Sequence, residues 1–528
     1  MKHKKIGLFF SLMLVIGSVV GIGIFFKNGS ISRTTGGDGV TWLLAWIVGG
    51  LISLTAALSF AEIGSFKNTK LTGLSNWAFK VGGSRLGYFT SISFSTFYFG
   101  ALNALLGIFG SEVWFTFIGA ASKLDTSHIH SVVHIIIGLL FMIVFMLLNY
   151  ASTRTSGQLQ SFFTILKFVP ILVALFIGIV LPNVHNAGGV NAFTIIGKSF
   201  SIKGLVAALP AVLFAYDAFL GNASMSHKIK KPNKNVPKAI FFGMAFVVVI
   251  YTLIALSSIL HNQGNIGGLL SDTLPKSVAA YISPIIWFFI LISTFGVLNG
   301  LSAAFINETH NTVKAKLYFG SSALIKRFGL QKTFWIYITI IFAFWGVLIY
   351  IPAIVLNTDI LIDAVSNYPT LFFFNIYALV ILLYAIKRHK ISETNKINKW
   401  VFYISAALAV TGIAVAEIVY LVVIFTFLGS NATNPNGWGV FYDQNKGGLI
   451  PNYLPVLYYF LNLILLFSLP AINYALEKAV FKNNLVKNFS TLIMLDAQEE
   501  KEEQEVSENK EEQSNSQTYN VISNRLIW

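Results

Sequence analysis

Residues 16–25 read Ile-Gly-Ser-Val-Val-Gly-Ile-Gly-Ile-Phe and sit in the middle of an apolar run, Ile6 to Phe26. That run is long enough to cross a bilayer. Gly17, Gly21 and Gly23 suit a continuous helix badly, since glycine costs roughly 1 kcal/mol against alanine in a helix interior. They suit a segment that opens and turns its backbone toward a ligand. In a bilayer, open backbone is tolerated only when buried in protein or lining a cavity. The competing reading is close packing against a neighbouring helix.

The rest of the chain sets the context. Of 528 residues, 55% are hydrophobic and 11% charged, against about 25% charged in a soluble domain. The composition is that of an all-α polytopic membrane protein. Cysteine is absent, so neither disulfides nor thiol chemistry enter. The basic start, Met1-Lys-His-Lys-Lys5, resembles a secretory leader, but the length of the apolar run, its glycines and the lack of a small-residue cleavage site read as a retained span.

Hydropathy places twelve transmembrane helices at about 6–26, 41–62, 86–110, 131–150, 158–181, 204–225, 237–260, 278–306, 333–352, 362–386, 400–428 and 452–476. Lys and Arg alternate across them, with 23 in the segments on the N-terminal side and 7 on the other. The positive-inside rule then predicts both termini in the cytoplasm. The net charge of +15 is therefore topology, and no nucleic-acid partner is expected. Residues 1–477 read as one transporter domain; 478–528, rich in Glu499 to Glu512, read as a disordered acidic cytoplasmic tail.

A second interruption is expected in span six, Leu213-Phe-Ala-Tyr-Asp-Ala-Phe-Leu-Gly-Asn222, where Asp217 stands in mid-membrane. An intramembrane carboxylate is a functional candidate. Both interruptions fall at similar depths of the first and sixth spans. Five spans per half put the halves in opposite orientation, which reads as a five-plus-five inverted repeat over about 6–181 and 204–386, with extra helices at 400–428 and 452–476.

The stretch at 16–25 resembles the first helix of the amino acid–polyamine–organocation (APC) permeases. The resemblance continues through Ala57-Leu-Ser-Phe-Ala-Glu-Ile-Gly64, Lys70-Leu-Thr-Gly73, Asn149 to Lys167 with Gln160 and Thr164 at matching spacing, Phe214-Ala-Tyr-Asp-Ala-Phe219, Lys230-Lys-Pro-Asn-Lys-Asn-Val-Pro237 and Ser293-Thr-Phe-Gly-Val-Leu-Asn-Gly300. It covers about 6–390 and implies the LeuT-like, or APC, fold with broken helices 1 and 6. The chain departs from that pattern where the family often has glycine and this chain has Asp217 and Ala218. It also has Ser226-His227-Lys228 where the family has a glutamate, and Asn307-Glu-Thr-His310 in place of an arginine-rich segment.

The resemblance implies a substrate site around Val19, Val20, Gly21, Ile22 and Gly23 in span one, with Phe214, Ala215, Tyr216, Asp217 and Phe219 in span six. Free N–H groups and carbonyls at an opened helix suit the carboxylate and ammonium of an amino acid. Phe214 is the candidate gate; Tyr216 and Phe219 either shape the pocket or pack. Asp217 meets a cationic group of the substrate, carries a proton or bonds its own helix. Lys167 is the candidate coupling residue, expected against the span-one opening and Ser293 or Thr294; the alternative is a lysine snorkelling to the membrane face. Glu417 is intramembrane without an assigned role, and Glu62 and Glu308 read as interfacial helix ends.

Enzymatic motifs fail. Gly197-Lys-Ser199 lacks the phosphate-loop glycine, which is Ala192. His128, His130 and His134 read as a solvated loop, and no cofactor or metal is expected. The expected function is a secondary transporter importing amino acids across the plasma membrane by alternating access, coupled to protons. Sodium coupling, exchange, polyamine or organic-cation transport and solute sensing are the alternatives. The oligomeric state is left open.

Overall fold

The computed structural model describes residues 5–494 except 22, 127–128, 182–190, 196, 263, 265–268, 270–274, 357–359, 427 and 429–452. Ten helices among them are long and apolar enough to cross a membrane. They fall on ten of the twelve expected positions. The first and sixth positions instead hold shorter apolar helices, α1 (Leu8–Val19) and α8 (Ile202–Ala215).

The other helices, in chain order, are α2 (Asn28–Thr34), α3 (Gly39–Ile63), α4 (Gly73–Ser93), α5 (Phe99–Ser122), α6 (Ser131–Ala151), α7 (Thr153–Val180), α9 (Pro232–Leu260), α10 (Lys276–Lys314), α11 (Ser321–Trp345), α12 (Ile351–Leu356), α13 (Ile360–Lys387), α14 (Lys399–Thr426), α15 (Leu454–Phe481) and the short α16 (Phe489–Ile493). Local signals start several of them. Asp38 caps α3 by accepting from Thr41 N–H at 2.7 Å, and Ser201 caps α8 by accepting from Gly204 N–H at 3.0 Å. The stretch Gly73–Ser122 is 50 residues long, about twice what a ~30 Å hydrocarbon core requires. Gly83, at φ +76, breaks it, so the spanning part begins near the predicted residue 86.

Helix α10 packs along α5, α6 and α7, while α3 packs along α9, α8 and α14. α1 sits at the centre against α9, α7 and α10. The outer surfaces of α14 and α15 expose Ile404, Leu408, Ile418, Ile464 and Phe467, as a lipid solvent permits.

Three expectations change. Glu62 is fully buried, not interfacial. Arg388 donates to both its oxygens, from Nε at 2.7 Å and Nη2 at 3.0 Å, and Tyr384 and Ile397 N–H complete the shell. A buried pair of this kind persists because every remaining lone pair is used; here it ties the end of α3 to the segment after α13. Glu308 is also fully buried. Finally, the fold continues past residue 478. α15 runs to Phe481, and α16 docks Phe489 on Phe79 of α4 at 5.4 Å between ring centroids. The acidic run from Glu499 lies outside the described residues.

Glu417 finds polar partners: Asn375 donates to Oε2 at 2.7 Å and Tyr459 to Oε1 at 2.6 Å. It therefore joins α13, α14 and α15. Replacing Tyr459 by Phe removes one donor to a largely buried carboxylate and lowers stability by about 1–3 kcal/mol. A detergent thermal-shift measurement checks this, and an unchanged melting temperature contradicts it.

Candidate functional site

α1 stops at Val19, and Val20 takes an extended backbone conformation. A wide helical turn, Gly23–Lys27, follows and leads into α2. The carbonyls freed at the end of α1 are occupied by side chains of neighbouring helices. Lys167 of α7 donates to Gly17 O at 2.7 Å and to Val20 O. Tyr251 of α9 donates to Val19 O at 2.9 Å. These carbonyls are thus satisfied within the protein rather than left open for an ammonium group.

Lys167 is fully buried and does not snorkel. Its predicted contacts on α10 differ from what is seen. Thr294 donates to Ile290 of its own helix at 3.0 Å, and the buried Ser293 hydroxyl has no partner among the described residues. Gly296 of α10 faces the same place: a Cβ there would lie 3.2 Å from Phe163 Cβ and in ordinary contact, 3.4 Å, with Lys167 Nζ.

The glycines of the opening stretch prove to be packing positions as well. A Cβ on Gly17 would lie 2.1 Å from Gln160 Nε2, one on Gly21 would lie 2.1 Å from Val297 Cγ2, and one on Gly23 would lie 2.7 Å from Ala215 Cα. The last contact sets the turn after α1 directly against the end of α8. Ile22, a predicted site residue, lies outside the described residues.

α8 ends at Ala215, and the chain turns through Tyr216–Leu220 before a 3₁₀ segment, Gly221–Lys228. Ala218 holds φ +70, a left-handed conformation that glycine adopts without penalty and alanine does not. The strained position is where the APC pattern often places glycine.

Asp217 is 5% exposed. Its Oδ2 accepts from Tyr98 OH at 2.8 Å and from Thr370 Oγ1 at 2.7 Å. Its Oδ1 is buried and makes no hydrogen bond of good geometry among the described residues, although the Ala218 N–H and the Tyr377 hydroxyl stand beside the carboxylate. Asp217 lines a cavity of about 40 Å³ with Ser18, Val19, Gly23, Phe214, Ala215, Val297 and Thr370. This volume holds only a few waters, so an amino acid with a side chain enters only if the helix ends part.

Of the predicted site residues, Val19, Gly23, Phe214, Ala215 and Asp217 meet at this cavity. Val20 and Gly21 sit beside it in the Lys167 and Val297 contacts. Tyr216 and Phe219 do not line it. Tyr216 packs edge-on against Trp46, and Phe219 packs against Phe374 and Tyr377. Sequence reading missed Tyr98 and Thr370. Tyr98 closes a wide helical turn, Phe94–Tyr98, from which its hydroxyl reaches Asp217. It also missed Lys27, a buried cation whose Nζ is 5.1 Å from the centroid of the Phe214 ring.

A polar chain supports the site from behind. Asn149 donates to Asn299 Oδ1 at 3.1 Å, Asn299 donates to Gln160 Oε1 at 2.7 Å, and Thr164 donates to Met13 O at 3.3 Å. It joins α6, α10 and α7 to α1.

Ten long apolar helices, together with a small, mostly apolar cavity that holds one carboxylate between α1, α5, α8, α10 and α13, define a multi-pass membrane protein with an internal polar site. The amino acid permease family matches residues 11–461, and the chain belongs to that family. The serine/threonine exchanger SteT of Bacillus subtilis is 29% identical over 307 residues, covering 57% of this chain and 66% of that protein. The b(0,+)-type amino acid transporter 1 of Oryctolagus cuniculus is 26% identical over 56% of this chain and 60% of its own length. The cystine/glutamate transporter of Homo sapiens is 25% identical over 56% and 58%. The chain thus spans about three-fifths to two-thirds of the length of these relatives.

Proposed function

We propose that this protein is a secondary transporter that imports amino acids across the plasma membrane by alternating access, with both termini cytoplasmic. α1 and α8 are the first halves of two spans interrupted at corresponding places in an inverted repeat, which brings the count to twelve. The observation that carries this reading is the Asp217 carboxylate, with one oxygen lacking a hydrogen bond of good geometry at a cavity formed by the ends of α1 and α8. The substrate ammonium pairs with Asp217 Oδ1. The N–H groups at the turn from Gly23 receive its carboxylate, and Phe214 closes over it.

Coupling runs through Lys167. Its ammonium holds the carbonyl end of α1 against α7. Removing the proton weakens those two bonds and loosens α1. A proton is therefore the proposed coupling ion, and the transported cycle moves it with the substrate. Exchange is the second reading, favoured because SteT, among the relatives, is an exchanger.

The test is uptake by proteoliposomes of labelled amino acids and polyamines under a pH gradient, a sodium gradient or none. Accumulation driven by the pH gradient is the expected result. Uptake only into vesicles preloaded with amino acid establishes exchange instead, and saturable binding without any uptake overturns transport.

A further inference from the structure

At the end of the bundle where Lys and Arg collect, Glu308 of α10 is fully buried. Ser75, in the first turn of α4, donates its hydroxyl to Oε1. Oε2 is buried and makes no hydrogen bond of good geometry among the described residues, and neither does the Ser224 hydroxyl oxygen. Ser224 belongs to the 3₁₀ segment that follows the Asp217 turn, and its hydroxyl stands beside the Glu308 carboxyl. The same three elements are already tied together. Thr72 donates to Ser224 O at 2.8 Å, and Asn311 donates to Thr72 Oγ1 at 2.9 Å.

Glu308 makes no ion pair among the described residues. The titratable groups around it are His310 and Lys314 on α10, His227 and Lys228 on the 3₁₀ segment and Lys5 ahead of α1, whose charges act on the two histidines. On α4 the first charged side chain is Lys80, which pairs with Glu393 at 2.9 Å. Tyr318, after α10, donates to Ser95 Oγ at 2.6 Å. A buried carboxylate without a cation is costly. A carboxylic acid at the same place costs little: its Oε2–H donates to Ser224 Oγ, whereas the carboxylate has only the Ser75 and Ser224 hydroxyls to offset a buried charge.

We propose that Glu308 is a second proton-carrying residue of the transport cycle, which latches residues 221–228 to α10 and α4 when protonated and releases them when its proton passes to water at the basic end. The inference rests on the transporter reading, but its test does not need transport.

The chain has no cysteine, so Ser226→Cys introduces a single label site at a buried position of the segment. Its maleimide labelling rate, divided by that of the denatured chain at each pH, reports opening alone. With Glu308 present the ratio rises about tenfold or more from mildly acidic to mildly alkaline pH, since one released proton shifts the opening equilibrium by up to about tenfold per pH unit. With Glu308→Gln it stays flat. An equal rise in both, or no rise in either, overturns the proposal. Should the glutamine variant fail to fold, Ser224→Ala serves. It removes the acceptor and raises acidic-side labelling several-fold, and unchanged acidic labelling overturns the proposal equally. Failure of uptake in vesicles counts against the transporter reading and leaves this measurement standing by itself.

Discussion

Replacing Lys167 by alanine abolishes uptake driven by a pH gradient. The ammonium is fully buried and donates to Gly17 O and Val20 O. Its removal leaves two buried carbonyls at the end of α1 without donors, each costing about 1–3 kcal/mol. It also removes the only cation that holds α1 to α7 through these atoms among the described residues. Uptake falls by at least about 100-fold, the equivalent of roughly 3 kcal/mol. Lys167→Met keeps the aliphatic stem and separates charge from packing: it also loses gradient-driven uptake, with a smaller loss of thermal stability. Proteoliposome uptake under an imposed pH gradient measures both variants. Retention of full accumulation by either one removes Lys167 from the coupling mechanism.

Asp217→Asn lowers substrate affinity by about 30- to 100-fold, the loss expected when a charged hydrogen bond of about 2–3 kcal/mol disappears. Tyr98 and Thr370 both donate to Oδ2, so the amide oxygen of asparagine settles there. The amide nitrogen then replaces Oδ1 and presents a donor where the substrate ammonium needs an acceptor. The substitution is nearly isosteric, and thermal stability changes little. Scintillation-proximity binding of labelled amino acids tests it. Wild-type affinity in a folded Asp217→Asn protein removes the carboxylate from substrate recognition. Loss confined to substrates with cationic side chains assigns Asp217 to the side chain instead of the α-ammonium.

Both predictions concern residues that were legible before the structure. Lys167 and Asp217 are ionisable groups inside apolar runs, and a bilayer makes such groups too costly to be incidental. The ten long spans were legible for the same reason, because hydrocarbon thickness sets helix length directly. The partners of those residues were not legible. Glu62 and Glu308 lie near helix ends, where exposure is the ordinary expectation. Arg388 for the first, and Ser75 with Ser224 for the second, lie too far away in sequence for any local pattern to indicate burial. Tyr216 and Phe219 flank Asp217 in sequence but turn into aromatic packing, because the chain leaves helical geometry at Tyr216 and passes through a left-handed Ala218. Tyr98 and Thr370 carry no signal of their own; they matter only because α4, α5 and α13 close around the Asp217 turn.

By itself the sequence determined that this is a helical membrane protein, where its long spans lie and that Lys167 and Asp217 stand inside apolar runs. Each follows from the cost of moving polar groups into hydrocarbon, which acts on short stretches of chain. Only the tertiary structure decided how those charges are satisfied. Lys167 takes the carbonyls at the end of α1, Asp217 keeps one oxygen without a hydrogen bond of good geometry at the cavity, and Glu308 is enclosed among hydroxyls. Hydrogen bonds act over a few ångströms between helices distant in sequence, so their pairing exists only once the bundle has assembled.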